Sequence, residues 1–351
     1  MPVRAFPAPA LLARRNFGCR AETEQTLWGY RSVTLENELL RITVLAGKGA
    51  DIVEFLYKPL DVDFMWRNTN VIRAGQSVSA PTDPIMSFGE HYPGGWQELF
   101  PYGSRVQAKV YGTEMYFHGE VFGLPWDVAV EEDSPSRVTV CLRVRTRKSP
   151  FVLERRMTLR SGSPVLELDE TAYNLSRKAQ GVMWGHHPAF GAPFLSPDCT
   201  LYAPTQTVNV GGKDEQPFPV GTFKDKRRDF SKMLPPHSGH EGMLYWDKLD
   251  AGWYALVNPK LEVGFGMRWD HKRFPIVWIW QETGKIEGAP HFGEAYAMAV
   301  EPFSHMPGAA DRGEKLLTIP ARGRIEARFL ACAIPGRKAV KGIDAQGRAV
   351  R

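Results

Sequence analysis

The chain has four cysteines in 351 residues, Cys19, Cys141, Cys199 and Cys332, and no two of them form a CxxC pair. That spacing excludes the common cysteine-based zinc sites, and a chain this long does not depend on a disulfide framework. Long apolar runs are also missing, so no segment reads as a membrane-spanning helix. Leu11-Leu12 stand among scattered arginines without a continuous apolar stretch of signal-peptide length, and a cytoplasmic protein with no membrane partner is expected. Charge of one sign is scarce, with a formal net charge of only +5. The densest basic stretch, Arg143, Arg145, Arg147, Lys148, Arg155 and Arg156, is interleaved with Val144, Leu153 and Met157. A solvated hairpin face accounts for it, and no nucleic-acid motif accompanies it, so no nucleic-acid partner is expected. Long amphipathic helical patterns, internal repeats and low-complexity segments are absent.

Turn-formers are plentiful instead: 27 prolines and 33 glycines break the chain into short segments. Between them the apolar residues alternate. Val138, Val140, Leu142 and Val144 share one strand face, as do Leu166 with Leu168, and Leu261, Val263, Phe265, Met267 and Trp269. Residues 275–280 are apolar throughout, as in a strand covered on both faces, and Gly47-Lys48-Gly49 suits a hairpin turn. A glycine-lysine-glycine in that setting is no phosphate cradle, because no helix follows it. Period-two segments with turns between them predict an all-β fold, a large antiparallel β-sandwich. The expected organisation is an N-terminal arm over residues 1–30, one sandwich domain over 31–335 and a C-terminal tail over 336–351. The irregular stretch 68–95 reads as functional rather than as a linker.

Candidate chemistry gathers at a few places. Trp184-Gly185-His186-His187-Pro188-Ala189-Phe190-Gly191 holds two side chains that titrate near neutrality at a proline corner. Adjacent strand residues point to opposite faces, so the two histidines cannot share one ion, and no metal or cofactor is expected. In Glu294-Ala295-Tyr296-Ala297-Met298-Ala299-Val300-Glu301, alternation puts Ala295, Ala297, Ala299 and Glu301 on one face. Three alanines beside a carboxylate leave the space that a sugar-sized pocket needs. His118 precedes a glycine that allows close approach. Arg105, Gln97 and Glu98 offer hydroxyl-binding groups, and Trp96, Trp184, Trp278 and Trp280 offer apolar faces for sugar C–H groups or for core packing.

Taken together, these segments resemble the aldose 1-epimerase (galactose mutarotase-like) superfamily, and a divergent bacterial branch of it. Leu35–Val44 with Gly49–Ile52 is similar to the opening hairpin of that family, and Leu99-Phe100-Pro101-Tyr102-Gly103-Ser104-Arg105 to its LFP…GR loop. Phe117-His118-Gly119 with Trp126 is similar to its HG…W segment, His187-Pro188-Ala189-Phe190 to its H-x-x-F segment, and Val300-Glu301-Pro302 to the strand carrying its glutamate. The resemblance implies Glu301 as general base, His187 as general acid and His118 as a stabiliser of the ring oxygen or of the acid's charge. It implies sugar binding by Arg105 and Asp247; Trp280 and Gln97 join the expected substrate-binding residues on their own side-chain chemistry. His186 stands where the family has an asparagine and joins the expected substrate-binding residues. An ionised glutamate and a protonated histidine are expected, each favouring the other's charge. The expected partner is a free or modified sugar, bound by a monomer or homodimer. Two other functions share these residues: sugar binding without turnover on the same fold, and a lyase or glycosidase that uses Glu98 or Glu282 as a second carboxylate.

Overall fold

The computed structural model describes residues 15–68, 70, 88–89, 91–104, 111–113, 115, 117–211, 214–217 and 228–351. Arg105 and most of the 68–95 stretch lie outside them. Alternating apolar residues form strands because one face of each strand can then be withdrawn from water. Here those faces close on one another in two antiparallel sheets, an all-β sandwich.

The larger sheet has twelve strands. Its spatial order begins with Arg20–Leu27, Tyr30–Glu36, Leu40–Leu45 and Asp51–Tyr57, the last also carrying Val62–Asp63. It continues through Trp96–Leu99, Gly185–Gly191, Tyr296–Phe303, Ile276–Thr283 and Glu241–Trp246, and ends in Thr207–Val210 and Asp214–Pro217. The second sheet has eight strands, with Arg324–Pro335 and Val165–Asn174 at its centre. The core between them is rich in aromatics. Phe265 of the second sheet meets Phe55 and Phe190 of the first at ring separations of 5.3 and 4.9 Å.

Both terminal expectations shift. The first strand begins at Arg20 and forms the edge of the larger sheet, so residues 20–30 are an edge segment and not a free arm. In the C-terminal stretch, Gly342–Ile343 pairs with Ala349–Val350, and Ile343 and Val340 are buried against Trp253 and Leu330. The basic stretch does form a hairpin, Arg137–Arg145 against Phe151–Arg160. One of its members is not solvated: Arg155 is 1% exposed, in the middle of the sandwich. All four cysteines are buried and free. Among the described residues no helix is long and apolar enough to cross a membrane.

Candidate active site

Strand register brings the candidate residues together. Gly185 pairs with Phe303 and Ala189 with Ala299, so His187, midway along, stands opposite Glu301. On its other side His187 pairs with Gln97, whose amide donates to Asp51 Oδ2 at 3.2 Å. Glu301 pairs with Trp278, and Trp278 with Tyr245. Paired residues share a face. Asp51, Gln97, His187, Glu301, Trp278 and Tyr245 therefore form one straight row across six strands, on the side turned away from the second sheet. A cavity of about 400 Å³ opens over this row.

His187 and Glu301 lie on its floor, with Nε2 3.4 Å from Oε1. Both side chains are almost wholly withdrawn from water, and that sets their proton affinities. Burial pushes the Glu301 carboxyl well above the ordinary carboxylate range and lowers His187 to about 4. The pair therefore stands as a protonated carboxyl beside a neutral imidazole. Burial thus works against the expected ion pair, since both charges would have to be held out of water. The Tyr92 hydroxyl lies 3.1 Å from the other ring nitrogen of His187, Nδ1.

His118 reaches the cavity from a loop. Its ring centre is 5.2 Å from that of His187, and burial holds its proton affinity well below the usual range, helped by His187 and Lys48. The backbone that delivers it is unusual. His118 has φ of 65°, and a Cβ on Gly119 would stand 2.5 Å from the Phe100 carbonyl oxygen and 2.6 Å from that of Tyr102. Only glycine fits there. Trp278 and Trp280 line the cavity, whereas Trp96 and Trp184 are core residues with no exposure to it. Trp278 is stacked face to face on Phe303 at 3.8 Å. Phe303 in turn leaves no room for a side chain on Gly103 or Gly185.

Three expected substrate-binding residues are placed otherwise. His186 points into the sandwich core, as alternation dictates, and no part of it meets the cavity. Its Nε2 is 3.0 Å from Glu170, and Trp96 donates its indole N–H to Nδ1 at 3.0 Å. Asp247 is exposed beyond the end of the Glu241–Trp246 strand and does not reach the cavity. Gln97 lies on the correct face but beneath the floor, wholly buried and bonded to Asp51. Tyr92, Glu241 and His291 line the cavity without having been singled out. Tyr92 sits in His91-Tyr92-Pro93-Gly94-Gly95-Trp96, where the two glycines at positive φ mark a shaped loop. His91, next to it, does not line the cavity.

Behind the floor is a second polar group, sealed between the sheets. Arg155 donates to Glu170 Oε1 at 2.8 Å, to Glu98 Oε2 at 2.5 Å and to the Ala50 carbonyl at 2.9 Å. Trp184 donates its indole N–H to Glu98 Oε1. Glu98, Glu170 and His186 are close enough to surround an ion. The guanidinium of Arg155 already supplies the positive charge there and occupies the carboxylates, so the cluster is a structural ion pair and not a metal site. Burial and the neighbouring Glu170 raise Glu98 to about 7, while Glu170, despite its burial, is held down at about 2 by His186 and Arg155.

The family model described as "Domain of unknown function (DUF4432)" matches residues 27–322. Curated proteins give no match. Among solved structures, a candidate aldose 1-epimerase from Klebsiella pneumoniae aligns over 91% of this chain and 84% of its own, with a TM-score of 0.71 at 15% identity. A galactose mutarotase-like protein from Clostridium acetobutylicum aligns over 91% of this chain and 99% of its own, with a TM-score of 0.62 at 14% identity. Another from Lactobacillus casei aligns over 86% and 99%, with a TM-score of 0.58 at 20% identity. At such identities the likeness is one of fold, and the fold is galactose mutarotase-like.

Proposed function

This chain belongs to the DUF4432 family, and from that premise we propose that it is an aldose 1-epimerase, interconverting the α and β anomers of a sugar. The observation that carries this reading is the 3.4 Å approach of His187 Nε2 to Glu301 Oε1 on the floor of the aromatic cavity. Anomer interconversion needs a base at the anomeric hydroxyl and an acid at the ring oxygen, both at once. The buried pair holds one transferable proton between its two members. With that proton moved from Glu301 to His187 Nε2, the carboxylate takes the proton of the anomeric hydroxyl as Nε2–H protonates the ring oxygen. The ring opens, the C1–C2 bond rotates, and reclosure on the other carbonyl face returns both protons. The sugar's own hydroxyls, donating to the carboxylate, offset the lost solvation that otherwise keeps Glu301 protonated. Trp278 and Trp280 offer flat faces to sugar C–H groups. His118, close to His187 and neutral, offers a further hydrogen bond at the ring oxygen.

The two-carboxylate reading loses support from the placement of its candidates. Glu98 is tied to Arg155 in the core, and Glu282 accepts the backbone N–H of Ile286 at 3.1 Å, capping its own turn. Glu241 does line the cavity. Its backbone lies two strands across and four residues along from that of Glu301, about 16 Å away by strand spacing and rise, so it is not on the row that carries His187 and Glu301. Binding without turnover remains the competing function. Exchange NMR on a panel of aldoses decides between them: accelerated anomer exchange supports the epimerase, and saturable binding with no acceleration for any sugar overturns it.

A further inference from the structure

We propose that Tyr92 is a positioning residue, holding His187 in the tautomer that carries its proton on Nδ1 and turns the Nε2 lone pair toward Glu301. This rests on the proton-exchange reading of the pair. Tyr92 is 3% exposed, and its hydroxyl lies 3.1 Å from His187 Nδ1 with the two rings perpendicular, at 90°. The hydroxyl therefore meets the edge of the imidazole, where a ring nitrogen donates or accepts. Tyr92 is itself held on two sides. Phe88 stacks on it at 5.0 Å, Trp66 packs at 5.6 Å, and Asn68 donates its side-chain amide to the Tyr92 carbonyl at 3.2 Å.

A tyrosine hydroxyl can donate or accept, so the direction of this bond is decided at the other end of the imidazole. There Nε2 faces Glu301 Oε1. On the proton-exchange reading the shared proton rests on Glu301, as burial favours, and the 3.4 Å approach aims that proton at Nε2. The ring proton then belongs on Nδ1, and Nδ1–H donates to the Tyr92 oxygen. Tyr92 lines the cavity, so its own O–H is free to turn that way. When Nε2 gains a proton, Nδ1–H keeps the same partner and the bond strengthens with the charge. One acceptor thus serves both protonation states, and only Nε2 exchanges protons. Without the hydroxyl, the ring can place its proton on Nε2, the atom that has to accept one.

The test is nitrogen-15 NMR of histidine-labelled protein without sugar, with the His187 signals identified by their loss in His187→Asn. The wild type should show the Nδ1–H pattern, and Tyr92→Phe should move His187 toward the Nε2–H form. Tyr92→Phe should also lower kcat about 10- to 100-fold with KM little changed, and move the acid limb of the pH profile. An Nε2–H pattern in the wild type overturns the proposal. So does an unchanged His187 tautomer in Tyr92→Phe, or a raised KM with kcat intact. The wild-type spectrum, once its His187 signals are identified, needs no turnover, so it decides on Tyr92 separately. Absence of anomer exchange in the wild type counts against the proposed function instead.

Discussion

His187 and Glu301 stand directly across from each other on neighbouring antiparallel strands, 3.4 Å apart at their nearest atoms and open to one cavity. A pair that shares one transferable proton fails when either member loses its titrating atom. Glu301→Gln and His187→Asn should each lower kcat for anomer exchange by about 10²- to 10⁴-fold, and the double variant by little more than the worse single one. Exchange NMR under saturating sugar reads this, and near-wild-type rates in either single variant would remove the pair from the chemistry.

The same two side chains should give opposite pH slopes to stability. His187 is lowered to about 4 in the fold, against about 6.5 when unfolded. The unfolded chain takes up this proton first as pH falls, so stability present above pH 6.5 is lost on the way down to about 4, by on the order of 3 kcal/mol. His187→Asn should therefore gain on the wild type as pH drops through that window. Glu301 is raised, so its contribution is complete below about pH 4.5 and is lost as pH rises. Glu301→Gln should gain on the wild type toward higher pH. Urea unfolding at a series of pH values separates the two slopes.

Arg155 and Arg324 make ion pairs in opposite surroundings. Arg155 holds two buried carboxylates, whereas Arg324 and Glu326 are 61% and 64% exposed. Arg155→Ala leaves Glu98 and Glu170 without their cation and should cost about 3–5 kcal/mol. Arg324→Ala should stay within about 0.5 kcal/mol of the wild type. Denaturant midpoints compare them, and equal costs would deny the core cluster its structural role.

Gly103 lines the cavity where Phe303 supports Trp278. Gly103→Ala drives a methyl group into the Phe303 ring and should cost about 1–3 kcal/mol. Because Trp278 moves with Phe303, the variant should also raise KM for the sugar. Isothermal calorimetry with an unaltered affinity would show that Trp278 is not a sugar platform.

The sandwich was legible because alternation and turn residues run through the whole chain, and strand pairs such as Arg137–Arg145 with Phe151–Arg160 follow from them. The site was legible in part. Glu301 does line the cavity, whereas Ala295, Ala297 and Ala299 on the same strand do not: they pack in a buried cluster with Trp66, Phe88 and Tyr92. Alternation also separated His186 from His187. It could not say which of them met the core, because both faces of that strand are buried, at 0% and 4% exposure. Arg155 was misread for a related reason. An arginine in an alternating strand looks solvated until two glutamates far away in sequence are found to enclose it. Asp247 sits one residue past its strand, where alternation no longer aims a side chain. Tyr92 carried no pattern at all, since its position depends on a loop shape and on a partner ninety-five residues away.

Gly185 bears on the twin histidines in one more way. A strand that slid by one residue would turn His186 toward the cavity face and His187 toward the core face, with Gly185 or Pro188 filling the histidine place left over. Gly185 opposes the slide, because Phe303 lies where any side chain at that point would have to go, and sliding brings Trp184 or His186 there. The fit works like a key in a lock whose ward is a phenylalanine ring. A residue with no chemistry of its own thus selects which imidazole becomes the reactive one.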